Sequence, residues 1–193
     1  LVATNAYHLW LGPVVQPRFV PVHYCQYATD PLPEALRQAI LPGGEGCWDT
    51  ALVMSSVRMD RAGRLIIGGI GNGGGPAGAI HADWARRKLA RLYPALRGQR
   101  LAHGWSGRIA MTADHIPKTL AFGPDALACF GYSGRGIGPG TVFGLEAARA
   151  LLSGDRSGLP VAPVPAHAET MVAARATWVE AGACAAHAVG ARL

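Results

Sequence analysis

The sequence predicts an α+β chain on three observations. Residues 19–27 form a long extended run rich in β-branched and aromatic side chains. Two further apolar runs flank the turn residues Asp60-Arg-Ala-Gly63, the pattern of an antiparallel hairpin. Helical patterns recur near residues 81–93, after Gly140 and over 166–189, each set off by Gly or Pro.

Taken in order, residues 1–7 read as the end of a strand. The chain opens as if a strand were already under way, without an initiator Met. It is therefore expected to be the C-terminal piece of a longer protein, with processing of an N-terminal segment as the alternative. Gly12-Pro13 turns the chain, and Pro31 and Pro33 end the extended run. Residues 42–46 are a loop, 50–59 a strand, 60–63 a turn and 64–67 the returning strand. A glycine loop over 68–78 precedes the helix at 81–93, where Trp84, the Lys88 stem, Leu89 and Leu92 share one side and Pro94 is the stop. Residues 100–111 are extended, 114–123 a loop and 126–130 a strand. A glycine-crowded turn over 131–141 then opens a helix running to about Leu152. Its expected inner face is Leu145, Ala148 and Leu152, with Gly144 and Ala148 allowing close approach to a sheet. Pro160, Pro163 and Pro165 make a stiff connector, and Trp178 is the expected anchor of an Ala-rich terminal helix.

Composition narrows the function classes. The 193 residues carry a net charge of +6, and of 18 basic residues only Lys88 and Lys118 are lysine. Basic residues are scattered apart from Arg86, Arg87, Lys88 and Arg91, which read as a solvated helix face. No basic stripe interleaves with aromatics, so no nucleic-acid partner is expected. Cys25, Cys47, Cys129 and Cys184 are far apart, with no C-x-x-C pair and no Cys/His metal spacing. They fit reduced thiols in a cytoplasmic protein, and no metal is expected. No apolar run reaches membrane-spanning length, so no membrane partner is expected.

Two glycine motifs compete as ligand cradles. Gly69-Ile-Gly71-Asn-Gly-Gly74 matches G-x-G-x-x-G. Pro76 and Gly78 interrupt the place where a helix must begin, no acidic residue follows at about twenty positions, and the preceding strand pairs as a hairpin. A flexible loop is the better account. The run Gly131-Tyr132-Ser133-Gly134-Arg135-Gly136-Ile137 differs: its helix starts promptly, with Pro139 in the first turn. Backbone N–H groups and the positive helix end make it an anion cradle.

Four segments carry a family resemblance. Trp105-Ser-Gly-Arg-Ile-Ala-Met-Thr-Ala-Asp114-His-Ile-Pro117, then Phe130-Gly-Tyr-Ser-Gly-Arg-Gly-Ile137, resemble the C-terminal part of the D-amino-acid-oxidase-like FAD oxidoreductases. Within them the chain looks most like the γ-glutamylputrescine oxidase and related amine oxidase branch. Asp49-Thr50 with residues 58–69 resembles that family's substrate-domain hairpin. Residues 2–7 resemble the strand where the chain leaves the nucleotide-binding sheet. The resemblance covers about residues 1–165. It implies a mixed, largely antiparallel sheet of a substrate domain flanked by helices, plus the returning strand and helix of an FAD-binding domain. The implied divisions are 1–10 (FAD-domain strand end), 11–112 (substrate domain), 113–155 (FAD-side strand, turn and helix) and 156–193 (connector and helix). The family's N-terminal glycine fingerprint is missing, so a preceding FAD domain or a complementary chain is the expected partner.

The resemblance implies an FAD-dependent enzyme that oxidises the C–N bond of a small-molecule amine or amino acid to an imine, with oxygen as the usual acceptor. It places the turn along the flavin's pyrimidine edge. The implied cofactor-binding residues are Thr4, Gly131, Tyr132, Ser133, Gly134, Arg135, Gly136 and Ile137, with N–H groups near Gly136 and Ile137 facing the N1/O2 locus. Substrate candidates are Tyr24, Trp48, Arg58 and Trp105, aromatic walls with one cation. No general base is assigned, since His23 and Tyr24 alternate along one strand and only one can face a cavity. Neither His103 nor Cys129 is assigned as a covalent flavin attachment. Gly138 stands where many sarcosine-oxidase-like members carry Lys. Ile109 stands where glycine and D-amino-acid oxidases place a carboxylate-binding Arg, with Arg108 one residue off and on the opposite face. A longer or uncarboxylated amine is therefore expected over a simple α-amino acid. The competing reading is a non-catalytic fragment that binds no cofactor alone; flavin absorption of this chain by itself separates the two.

Overall fold

The computed structural model describes residues 1–8 and 17–191. The expected turn at Gly12-Pro13 lies outside them. In order the elements are β1 (Val20–Thr29), α1 (Glu34–Ala39), β2 (Gly46–Trp48), β3 (Ser55–Met59), β4 (Leu65–Ile70), α2 (Gly78–Leu92), a 3-10 turn (Pro94–Leu96), β5 (Leu101–Met111), β6 (Lys118–Gly123), β7 (Ala126–Phe130), α3 (Ile137–Ser153) and α4 (Val172–Val189). Mixed helices and antiparallel sheets make the chain α+β. It divides into two compact units, Leu1–Val22 with Arg108–Thr177, and His23–Gly107 with the stretch from Trp178.

In the second unit the hairpin forms as expected, with Met59 opposite Leu65 and Val57 opposite Ile67. Asp60 closes its turn by accepting the Arg64 backbone N–H at 2.9 Å. The sheet order is β2-β3-β4-β1-β5. One face, carrying Cys25, Tyr27, Val57, Leu65 and Ile67, packs on Trp84, Ala85 and Leu89 of α2. Leu92, expected on that inner side, is exposed. β4 continues through Gly68 and Gly69 to Ile70, where the sequence pattern reads loop. Those glycines lack side chains but keep their ladder partners, Ser56 and Ser55.

The expected strand over 50–59 begins only at Ser55. The Asp49 carboxylate accepts the backbone N–H groups of Ala51 and Ser55, the Ser55 hydroxyl at 2.6 Å and the Lys88 ammonium at 2.8 Å. Those bonds bend the chain where a strand would run. Burial opposes ionisation of Asp49, but the bonds from Lys88 and Ser55 outweigh it and hold the carboxyl at about 2. A folded value below the unfolded one contributes stability that is complete above pH ~4 and is lost as pH falls towards ~2. Asp49→Asn is expected to remove about 1–2 kcal/mol at neutral pH, the partial exposure of the cluster included. The gap between wild type and variant in acid denaturation should close below pH ~3; a constant gap refutes the assignment.

In the first unit β6 and β7 form an antiparallel hairpin, with Thr119 opposite Cys129 and Leu120 opposite Ala128. The sequence pattern reads 114–123 as loop throughout. Its second half is a strand because Leu120 packs into a core with Ala128 and Phe130. Val2 bridges Ala128 in parallel, and its N–H donates to the Leu127 carbonyl at 2.8 Å. Beyond it the chain turns at Asn5-Ala6 rather than staying extended to residue 7. Leu127 and Cys129 point the other way, onto Phe143, Ala147 and Ala150 of α3. The buried face of α3 is therefore not Leu145, Ala148 and Leu152; Leu152 is 90% exposed. A Cβ on Gly144 would meet open space, so close approach does not rest on that glycine. The helix ends at Gly154, whose φ of 76° is the left-handed C-terminal cap that glycine favours.

In α4 the buried residues are Ala183 and His187, whereas Trp178 is 80% exposed and anchors nothing. Among the described residues, no helix is long and apolar enough to cross a membrane.

Candidate functional site

The glycine turn of the first unit is built from backbone strain. Gly131 (φ 81°), Ser133 (φ 50°) and Gly134 (φ 86°) all take left-handed backbone angles. A Cβ on Gly131 would meet the Thr112 methyl at 2.7 Å, so only glycine fits there. Several bonds hold the conformation, the Ser133 hydroxyl donating to the Gly131 carbonyl at 3.2 Å among them. The Asn5 side-chain oxygen accepts the Gly131 N–H at 3.1 Å, the Ser133 N–H donates to the Ala110 carbonyl, and the Arg135 N–H donates to the Tyr132 carbonyl. Asn5 escaped the sequence reading, which selected its neighbour Thr4. The Thr4 hydroxyl instead pairs with the His8 Nδ1 at 3.2 Å. A residue tolerant of left-handed angles beside a strand end was the available signal, and Asn5 has φ 47°.

Helix α3 starts at Ile137 with Gly136 as its cap residue and no side-chain cap. The first helical N–H groups lack intrahelical acceptors, and Pro139 has no N–H. Ile137 and Gly138 are thus left as adjacent donors at the positive end of the helix. Both are exposed, and a Cβ on Gly138 would meet nothing within 4 Å. A planar, electron-rich edge can reach backbone here without meeting a side chain. The residues present therefore fit the edge of a flavin. Tyr132 packs edge-on to Phe143 at 6.0 Å, and burial pushes its phenol up to about 12, so it stays neutral. Arg135 is exposed. Ile109 points at Gly134, 3.7 Å from where its Cβ would be, while the Arg108 guanidinium stacks 4.9 Å over the Tyr7 ring.

In the second unit the sheet brings three substrate candidates onto the face opposite α2. Gln26, Gly68, Ser56 and Trp48 form one cross-strand row, and Tyr24 and Arg58 lie two residues from it in opposite directions on the same face. Gly104 faces the Tyr27 ring on the core side, so alternation sends Trp105 to this open face as well. The Tyr24 ring lies across Gly68 and its hydroxyl is 2.7 Å from the Ser56 hydroxyl. Burial raises the Tyr24 phenol despite that hydrogen bond. Trp48, Arg58 and Trp105 are exposed. His23 falls on the other face. The helix after the G-x-G-x-x-G run begins only at Gly78, four residues past Gly74, as the loop reading requires.

A profile of the family described as "DAO: FAD dependent oxidoreductase" matches residues 1–150. Curated relatives include "Probable oxidoreductase OrdL" of Haemophilus influenzae, 27% identical over 80% of this chain and 36% of that protein. A second protein of that name, from Rhizobium meliloti, is 31% identical over 71% of this chain and 32% of its own length. "Gamma-glutamylputrescine oxidoreductase" of Escherichia coli is 28% identical over the same shares, 71% and 32%. The chain spans about a third of the length of these relatives. No solved structure matches it. The chain belongs to the DAO family of FAD-dependent oxidoreductases.

Proposed function

We propose that this chain is the C-terminal part of an FAD-dependent enzyme that oxidises the C–N bond of an amine to an imine, with oxygen as acceptor. The observation that carries the reading is the uncapped, glycine-lined start of α3. Residues 113–155 act as the FAD-side strand, turn and helix, residues 1–10 as the adjoining strand end, and residues 11–112 as the substrate domain. The flavin, when bound, supplies the two-electron chemistry. The Ile137 and Gly138 N–H groups and the α3 dipole favour negative charge at its N1/O2 edge, and Arg135 adds a cation on the same turn. Ile109 offers the turn no charge for a carboxylate, and Arg108 is held on Tyr7. That favours an amine with no carboxylate on the carbon that is oxidised. On the open sheet face of the second unit, Tyr24, Trp48 and Trp105 supply aromatic walls and Arg58 a cation for a substrate. Four cysteines without a disulfide suit a cytoplasmic setting.

The test uses the full-length protein. It should carry flavin, and it should release hydrogen peroxide with amines in preference to small D-amino acids. Gly138→Asp puts a carboxylate at the helix start, which suits the helix but opposes charge at the flavin edge. The midpoint potential is expected to fall by roughly 6–40 mV, from about 0.3–2 kcal/mol of helix-end electrostatics. A flavin-free protein, or an unchanged potential in the variant, would sink the reading.

A further inference from the structure

Helix α4 carries Glu180, Cys184 and His187 at spacings of four and three, hence on one face. In the second unit they meet His81 from the first turn of α2. The His81 Nε2 lies 3.1 Å from the Glu180 Oε1 and 3.8 Å from the Cys184 Sγ, and the Cys184 Sγ lies 3.8 Å from the Glu180 Oε1. The other nitrogen of His81, Nδ1, is 2.8 Å from the His187 Nδ1. Both imidazoles are buried, while Glu180 and Cys184 are partly open to solvent.

A thiol, an imidazole and a carboxylate can serve a nucleophilic relay or an ion. A relay needs the thiol and the acid on opposite ring nitrogens, one giving up a proton and the other orienting the ring. Here both lie on Nε2, and Nδ1 faces a second histidine. Three donors thus converge on one point. Zinc bonds of 2.0–2.3 Å imply tetrahedral edges of roughly 3.3–3.8 Å, close to the separations present.

We propose that His81, Glu180 and Cys184 bind one zinc-class divalent cation, with the fourth position open to solvent. On binding, the Cys184 thiol gives its proton to solvent, so one thiolate and one carboxylate balance the two positive charges. His81 offers the Nε2 lone pair and carries its proton on Nδ1, which donates to the His187 Nδ1. His187 is a positioning residue, its ring stacked on Trp84 at 3.7 Å with 7° between the planes. The Asn72 N–H donates to Glu180 at 3.0 Å and orients the carboxylate. This site also accounts for the G-x-G-x-x-G run that the flavin reading leaves over. A Cβ on Gly69 would strike Trp84 and approach His187, and one on Gly71 would strike the His81 ring. The glycines form the floor under the cluster, and the ion ties α4 to α2.

The experiment equilibrates the full-length protein with zinc, removes the excess, and measures zinc content and the zinc-edge X-ray absorption. One zinc per chain is expected, with a sulfur neighbour at about 2.3 Å. Cys184→Ser should lose that sulfur and bind zinc at least about 10-fold more weakly, and His187→Gln should weaken binding about 10–100-fold while keeping the sulfur. Cys47→Ser, at an exposed cysteine of β2, should bind as wild type. Substoichiometric zinc in the wild type, a shell without sulfur, or sulfur that persists in Cys184→Ser overturns the proposal.

Discussion

Phe130→Ala is expected to cost about 3–5 kcal/mol, the range for deleting a fully buried aromatic ring. Phe130 closes β7 immediately before the glycine turn, and none of its surface is exposed. Its ring meets His8 at 5.6 Å, Phe19 at 6.3 Å and His167 at 5.5 Å. On its flank Leu120 and Ala128 are equally buried, and Val2 and Val164 pack against the same cluster. The cavity left by the ring adds to the lost transfer energy. A fall in Tm of roughly 10 °C should follow, together with a loss of flavin from the full-length protein, because the turn loses the strand that presents it. Phe130→Leu keeps most of the volume and should cost no more than about 1.5 kcal/mol. A wild-type Tm in the alanine variant would show that this aromatic cluster is not what holds β7.

Gly71→Ala is expected to be strongly destabilising in the second unit. The residue has φ 142°, and an added Cβ would meet the buried His81 ring. Backbone strain of about 1–3 kcal/mol adds to the exposure of an unpaired histidine pair, another ~1–3 kcal/mol, giving roughly 2–6 kcal/mol. Gly74→Ala is the matched control: its Cβ would meet only Asn72, at 3.8 Å, and its φ is not positive. It should be neutral or stabilising by up to about 1 kcal/mol. A dinucleotide loop would need both glycines, so equal damage at the two positions would favour that reading over a floor under His81. Thermal denaturation of the two variants decides it.

What the sequence made legible had local causes. The β3–β4 hairpin carries its own turn residues, β1 its β-branched run, and the strand, glycine turn and start of α3 their prolines and glycines. The buried face of α3 was not legible, because the helix is apolar on nearly every side and periodicity cannot rank Phe143 and Ala147 against Leu145 and Leu152. Trp178 was misjudged for a similar reason: an Ala-rich helix offers several equivalent faces, and the one used carries Ala183 and His187. Strand β6 was hidden between Pro117 and Gly123-Pro124, and its pairing with β7 became decisive only through the core around Leu120. The four substrate candidates rest on residue type; the register that brings Tyr24, Trp48 and Arg58 to one face is not readable along the chain. Nor is the cluster of His81, Glu180 and Cys184, since Glu180 and Cys184 lie 99 and 103 positions from their partner. A search for closely spaced cysteines has no means of finding it.

Each unit is discontinuous along the chain, and that bears on the order in which they can form. The Asn5–Gly131 bond spans 126 positions, and the Asn72–Glu180 bond spans 108. During synthesis the first unit must hold its opening segment unpaired until β7 emerges from the ribosome. The second lacks its last helix until synthesis has passed residue 189. Long-range closure of this kind slows folding and leaves strand edges uncovered meanwhile. The β3–β4 hairpin with α2 needs neither late segment, so it is the natural place for order to begin. Ribosome-stalled chains long enough for α2 to have left the exit tunnel should already protect it from protease.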